Sequence, residues 1–223
     1  MQQTPPNHEL VAQWMRAVQT PAIATALHAM FEATREAIAS RGPACWASGR
    51  CCNFAKAGHR LYVTGLEAAW TVHHLRATQH RSTQTNAADE QSSAPPASLV
   101  RLPLLRAATT HEKTRPGQAK QPETTQAETK TVRTLTLPAL TPGTLQQAVE
   151  RGDCPFLVGN ACGVHAIKPF ACRTYFCDAS SEQWQHDLTE QLHTQLRTLH
   201  EAHAIAYRYG EWRELLSMML DAT

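Results

Sequence analysis

The sequence predicts a mostly helical α+β fold in which cysteine-bearing loops and short strands lie between helices. Three observations point there. Apolar residues recur at spacings of three and four near both ends, as helices with one buried face require. Short strand-like runs stand among them, bounded by Gly, Asn and Pro. The seven cysteines of the 223-residue chain fall in two blocks, each following a helical pattern and set in Gly- and Pro-containing loops.

Taken in order, Leu10, Val11, Trp14 and Val18 form the stripe of a first helix. Thr20 is placed to cap a second, with Pro21 at its first position, where a missing N–H costs nothing. Ile23, Leu27, Met30, Phe31 and Ile38 give that helix its buried face, and Arg41-Gly42-Pro43 ends it. After the first cysteine block, His59 to Val63 reads as a short strand. Thr64-Gly65-Leu66-Glu67 is a capping box opening a helix through Leu66, Ala69, Trp70 and Val72 that fades near Arg76.

Composition then shifts. No Phe, Tyr or Trp occurs between 71 and 155, and residues 78–131 are rich in Thr, Gln, Ala, Ser, Pro and Glu. Such a stretch has too little apolar surface to offset its ordering entropy, so 78–131 is expected to be a disordered insertion. Leu99, Val100, Leu102, Leu104 and Leu105 are the one run in it able to dock. The insertion divides residues 1–77, with the first cysteine block, from 132–223, with the second, and both halves are expected to form one domain. Val132 to Leu137 alternates like a strand. Thr141-Pro142 starts a helix that Gly152 stops. Gly159-Asn160 marks a tight turn between extended pieces. Trp184, Leu188, Leu192, Leu196 and Leu199 share a helical face, and Trp212, Leu215, Leu216 and Met219 form a last short helix.

Charge excludes some functions. With 21 Lys and Arg against 19 Asp and Glu, net +2, no strong field draws the chain to nucleic acid or a membrane surface. No stretch approaches the roughly 18 apolar residues of a membrane span. Met1 to Pro6 carries neither the basic nor the apolar part of a secretory signal, which predicts a cytoplasmic protein.

In a reducing cytosol, clustered cysteines point to metal binding or redox chemistry rather than a disulfide framework. The first block holds Cys45, Cys51 and Cys52; the second holds Cys154, Cys162, Cys172 and Cys177; residues 53–153 contain none. Thiolates are soft donors that favour zinc, copper(I) or iron–sulfur clusters. One ion held by both blocks would staple the two halves of the chain together. All seven cysteines are candidate ligands. Arg50, Lys168 and Arg173 lie within a few residues of them and can balance thiolate charge.

These residues resemble the YkgJ-type cysteine-cluster family, a zinc- or iron-chelating domain marked by CxxCxxCC, then a strand and a Glu-bearing helix, then CPFL, a further Cys, and RPxxCR. Cys45, Cys51 and Cys52 match the first, third and fourth cysteines of the run, and Ser48 stands at the second. Glu67 matches the acidic position. Cys154-Pro155-Phe156-Leu157, Cys162 and Lys168-Pro169-Phe170-Ala171-Cys172-Arg173 match the rest, with Lys168 in place of Arg. The match covers residues 45–75 and 150–178. The resemblance implies a cytosolic protein chelating zinc or iron. A related cluster in flagellin lysine methylases implies the alternative, an iron–sulfur-dependent enzyme of methyltransferase-like or redox type. A thiol switch that forms disulfides under oxidation is a third reading.

Among the histidines, His165 between Cys162 and Cys172 is the one candidate ligand. His186, His193 and His200, seven apart, read as a solvated helix face, and His203 as a packed residue on the apolar side. Glu67 reads as a helix cap, and Trp46 and Tyr175 as packing around the site. No phosphate loop, nucleophile elbow, HExxH or Rossmann fingerprint is present.

Overall fold

The computed structural model of the chain describes residues 6–42, 49–90, 139–176 and 181–222, with side chains in the second stretch given through residue 79. Twelve elements follow one another within these residues, eight of them helices. The strand expected at 132–137 and the leucines at 99–105 lie outside the described residues.

Helix α1 (Asn7–Ala17) buries Leu10, Val11 and Trp14 as its stripe predicts. Helix α2 (Pro21–Arg41) starts with Pro in its first turn and stops at Gly42, whose φ of +64° suits a residue without Cβ. Thr20 stands at its cap position, but its hydroxyl does not cap. It donates instead to Arg16 O at 3.1 Å, satisfying a carbonyl left over at the end of α1. Asn53 caps the single turn α3 (Phe54–Ala57) by accepting from the Lys56 N–H at 3.1 Å.

Strand β1 (Tyr62–Thr64) begins later than the expected His59. Its partner sets the limit: β4 (Tyr209–Glu211) pairs antiparallel with it, Tyr62 opposite Glu211 and Thr64 opposite Tyr209. Sequence reasoning missed β4, a three-residue strand with Gly at its centre. The Gly65 N–H to Arg208 O and Trp212 N–H to Leu61 O bonds, both 2.9 Å, extend the ladder at each end. β1 runs directly into α4 (Gly65–Glu90), and β4 into α8 (Trp212–Asp221). Helix α4 continues past Arg76 to Glu90, so the first part of the 78–131 segment is helical. The apolar stripe ends near Arg76, but the local propensity of the following residues does not oppose helix.

Helix α5 (Pro142–Arg151) has a reciprocal capping box between Thr141 and Thr144 and ends at Gly152, φ +72°. Strands β2 (Leu157–Val158) and β3 (Ala161–Cys162) form a hairpin around Gly159-Asn160, with Gly159 at φ +60°. Helix α6 (Phe170–Thr174) is short, and α7 (Glu182–Ala202) buries Leu188, Leu192, Leu196 and Leu199.

These elements share one buried cluster, drawn from both sides of residues 91–138: Trp14, Leu27, Leu66 and Leu75 from one half, Phe156, Leu196, Leu216 and Met219 from the other. The α1–α4 contact is close. A Cβ on Gly65 would lie 2.4 Å from the Trp14 ring, whose Nε1–H donates to Ala206 O at 2.8 Å. No helix among the described residues is long and apolar enough to cross a membrane.

Two histidine expectations are corrected. His200 is 1% exposed rather than solvated, because a seven-residue repeat drifts about 20° per heptad around a 3.6-residue helix and turns it toward Leu196 and Leu199. Its ring takes a 3.2 Å contact with Ile205 O, and burial lowers its pKa. His203 is exposed, since α7 has already ended at Ala202.

Candidate functional site

Local backbone bonds bring the two cysteine blocks together. Gly49 O accepts from the N–H groups of Cys52 and Asn53, both at 3.0 Å, which folds Gly49 to Cys52 into a turn. Gly49 has φ +68°, and a Cβ there would stand 3.2 Å from Asn160 O, so the turn lies against the tip of the β2–β3 hairpin. Cys154 N–H then donates to Cys52 O at 2.7 Å, and Ala55 N–H to Gly152 O at 2.9 Å. Residues some hundred positions apart in sequence become backbone neighbours.

The thiols follow the backbone. Cys51 Sγ and Cys52 Sγ lie 4.0 Å apart, and Cys154 and Cys162 stand near enough to Cys52 to perturb its thiol. Cys52 and Cys154 are buried, while Cys51, Cys162 and Cys172 are half-buried, all five as free thiols. The hydrogen-bonded Cys52 thiol holds the Cys51 pKa down to about 6, with help from the Lys168 charge. The Cys52 thiol, then the Val164 backbone and the Lys168 charge, bring Cys162 down to about 7 against burial. The neighbouring Cys154, Cys162 and Cys51 thiols push Cys52 up, and burial adds to the rise. Burial raises Cys172 well above the ordinary thiol value, reinforced by Cys154 and Cys162 and opposed by Lys168.

Of the seven expected ligands, five lie among the described residues and pack in or against the shared core. Cys45 and Cys177 lie outside the described residues, as do Trp46 and Ser48. Among the described residues, no three His, Cys, Asp or Glu side chains already stand as a metal-holding group.

Two expected cations bear on the cluster. Lys168 acts on Cys51, Cys162 and Cys172. Arg173 is tied down by its Nε–H to Lys168 O at 3.0 Å and an Nη2–H to Ala166 O at 2.7 Å, and its guanidinium lies 4.5 Å from the Phe31 ring centroid. Arg50 is exposed in the turn before Cys51. His165 is exposed as a residue; shielding of its ring, then the charges of Lys168 and Arg173, lower its pKa. Tyr175 stacks on His59, ring centroids 5.3 Å apart. His59 also meets Phe54, and its Nδ1 is buried with no hydrogen-bond partner among the described residues.

Glu67 does more than cap. Its Oε2 accepts from the Thr64 N–H at 2.8 Å and from the Thr64 hydroxyl at 2.9 Å, while its Oε1 accepts the Phe170 N–H at 2.9 Å, at the start of the helix bearing Cys172. Burial raises its pKa and these bonds oppose the rise. One turn along α4, the Thr71 hydroxyl donates between Glu67 O at 3.1 Å and Ile167 O at 3.0 Å. Sequence reasoning missed Thr71. Its signal was a second polar residue four positions after Glu67, inside an otherwise apolar helix.

No known family model, no curated protein and no solved structure matches this chain. The likeness to the cysteine-cluster family rests on its motif residues alone.

Proposed function

We propose that this chain binds zinc or iron through its cysteine cluster, in a site formed between the two halves of the sequence. The observation that carries this reading is the 2.7 Å bond from Cys154 N–H to Cys52 O, which sets the two cysteine blocks side by side across residues 53–153. The donor set fits a soft metal by its chemistry: sulfur throughout, with thiols already held ionisable near neutral pH. Sulfurs around a tetrahedral zinc stand about 3.8 Å apart, given a Zn–S bond of about 2.3 Å. Cys51 and Cys52 Sγ are 4.0 Å apart without any metal.

Four among Cys51, Cys52, Cys154, Cys162, Cys172, Cys45 and Cys177 would hold the ion. A bound zinc would supply a cross-link that adds to folding stability. Lys168 and Arg173 would offset the net charge of about −2 that four thiolates leave on a dication. The half-exposure of Cys51 and Cys162 favours a second reading, in which iron at this site faces a substrate.

Element-resolved analysis of anaerobically purified protein tests both. Colourless protein with near-stoichiometric zinc supports the first reading; brown protein with iron and acid-labile sulfide supports the second. Metal-free protein whose thiols oxidise reversibly to disulfides overturns both in favour of a thiol switch. Cys51→Ser and Cys172→Ser are each expected to lower bound metal and melting temperature together, and unchanged metal in either removes that residue from the site.

A further inference from the structure

We infer that Glu67 and Thr71 are positioning residues for Cys172, holding the segment that carries it in place before any metal arrives. The inference rests on the metal-binding reading above. Helix α4 is otherwise apolar where it meets the core: Leu66, Ala68, Ala69, Trp70 and Val72 are all buried. Glu67 and Thr71 interrupt that face one turn apart, 2% and 0% exposed. A carboxylate and a hydroxyl are costly there unless each is hydrogen-bonded.

The helix alone does not require these bonds. A cap needs only the exchange between Thr64 and Glu67. The second carboxylate oxygen reaches across to Phe170 N–H, the first residue of α6, while Thr71 reaches Ile167 O. The two therefore grip both ends of Ile167 to Phe170. This tetrapeptide carries Lys168 and leads two residues later to Cys172. From the opposite side, Arg173 binds Ala166 O and Lys168 O, and Phe31 stacks on Phe170 with centroids 4.1 Å apart. Four backbone groups from Ala166 to Phe170 are thus pinned by side chains. Groups that orient a ligand from outside the coordination shell work in this way.

The test uses the reduced, metal-free full chain, with Co²⁺ as probe and its thiolate charge-transfer absorption as readout. Thr71→Val keeps the shape and removes the hydroxyl, and Thr71→Ser restores it. Thr71→Val is expected to weaken Co²⁺ binding by about 10-fold, the usual cost of losing such a partner. It is also expected to speed alkylation of Cys172 in the metal-free chain, leaving Cys154 unchanged. Thr71→Ser is expected to match wild type in both. Glu67→Gln, which cannot accept at both of its ends, shifts both readouts as the valine does. Thr71→Ala, read the same way, decides the matter if the valine chain does not fold. Wild-type absorption with Thr71→Val unchanged in affinity and Cys172 reactivity overturns this inference alone. No charge-transfer absorption in wild type overturns the metal reading together with it.

Discussion

Close neighbours, burial and the Lys168 charge sort the cysteine thiols by acidity. Cys51 falls to about 6 and Cys162 to about 7, while Cys52 and Cys172 are raised. In reduced, metal-free protein, alkylation resolved by mass spectrometry is expected to reach half its maximal rate near pH 6 at Cys51 and near pH 7 at Cys162. Cys52 and Cys172 are expected to stay unreactive through pH 9, and Cys52 reacting before Cys51 would contradict the arrangement. The linkage to stability has a definite sign. For Cys51 and Cys162 the folded values lie below the ordinary thiol value, so their contribution is full above about pH 9 and is lost as pH falls through about 7 and about 6. Cys52 and Cys172 act oppositely, losing their contribution as pH rises past the ordinary thiol range. None of this sorting is legible from sequence, which shows which residues are thiols but not what surrounds each one. The histidines show the same limit: His186 is exposed and His200 is buried, although one seven-residue spacing relates them.

Glycines at helix ends set the approach of one block to the other. Gly152 and Gly42 both end helices with positive φ, yet their surroundings differ. A Cβ at Gly152 would lie 2.5 Å from Ala55 Cβ, whereas nothing stands within 4 Å of one at Gly42. Gly42→Ala is expected to cost about 1 kcal/mol, the conformational penalty alone. Gly152→Ala costs more, and because Gly152 O accepts the Ala55 N–H it also lowers bound metal. Equal losses of stability, by chemical denaturation, would show that the α3–α5 contact does not matter. Elements with strong local signals were legible: α1, α5 with its glycine stop, the Gly159-Asn160 hairpin and the Thr64–Glu67 box all stand where their residues place them. Strand β4 was not, because three residues around a glycine carry no period and gain their identity only from Tyr62 to Thr64 opposite. Helix α4 was cut short in the reading because its apolar stripe stops before the helix does.

Among the described residues, contacts join the two sides of residues 91–138. Trp14 bonds to Ala206, Gln13 both accepts from and donates to the 204–206 backbone, and Cys154 bonds to Cys52. Deleting residues 91–128 is therefore expected to leave melting temperature and bound metal unchanged, and loss of either would show that this stretch supports the fold. Separation of the cysteines into two distant blocks was legible in the sequence. The brace from α4 was not, since Glu67 and Phe170 meet only once the fold is complete. The central claim is that sulfurs from both blocks surround one ion. X-ray absorption at the edge of the bound metal, comparing wild type with Cys52→Ser and Cys162→Ser, tests it most directly. The account predicts a sulfur-dominated shell that loses a neighbour, or its metal, in each variant. A shell of nitrogen and oxygen, or one that either substitution leaves intact, would contradict it.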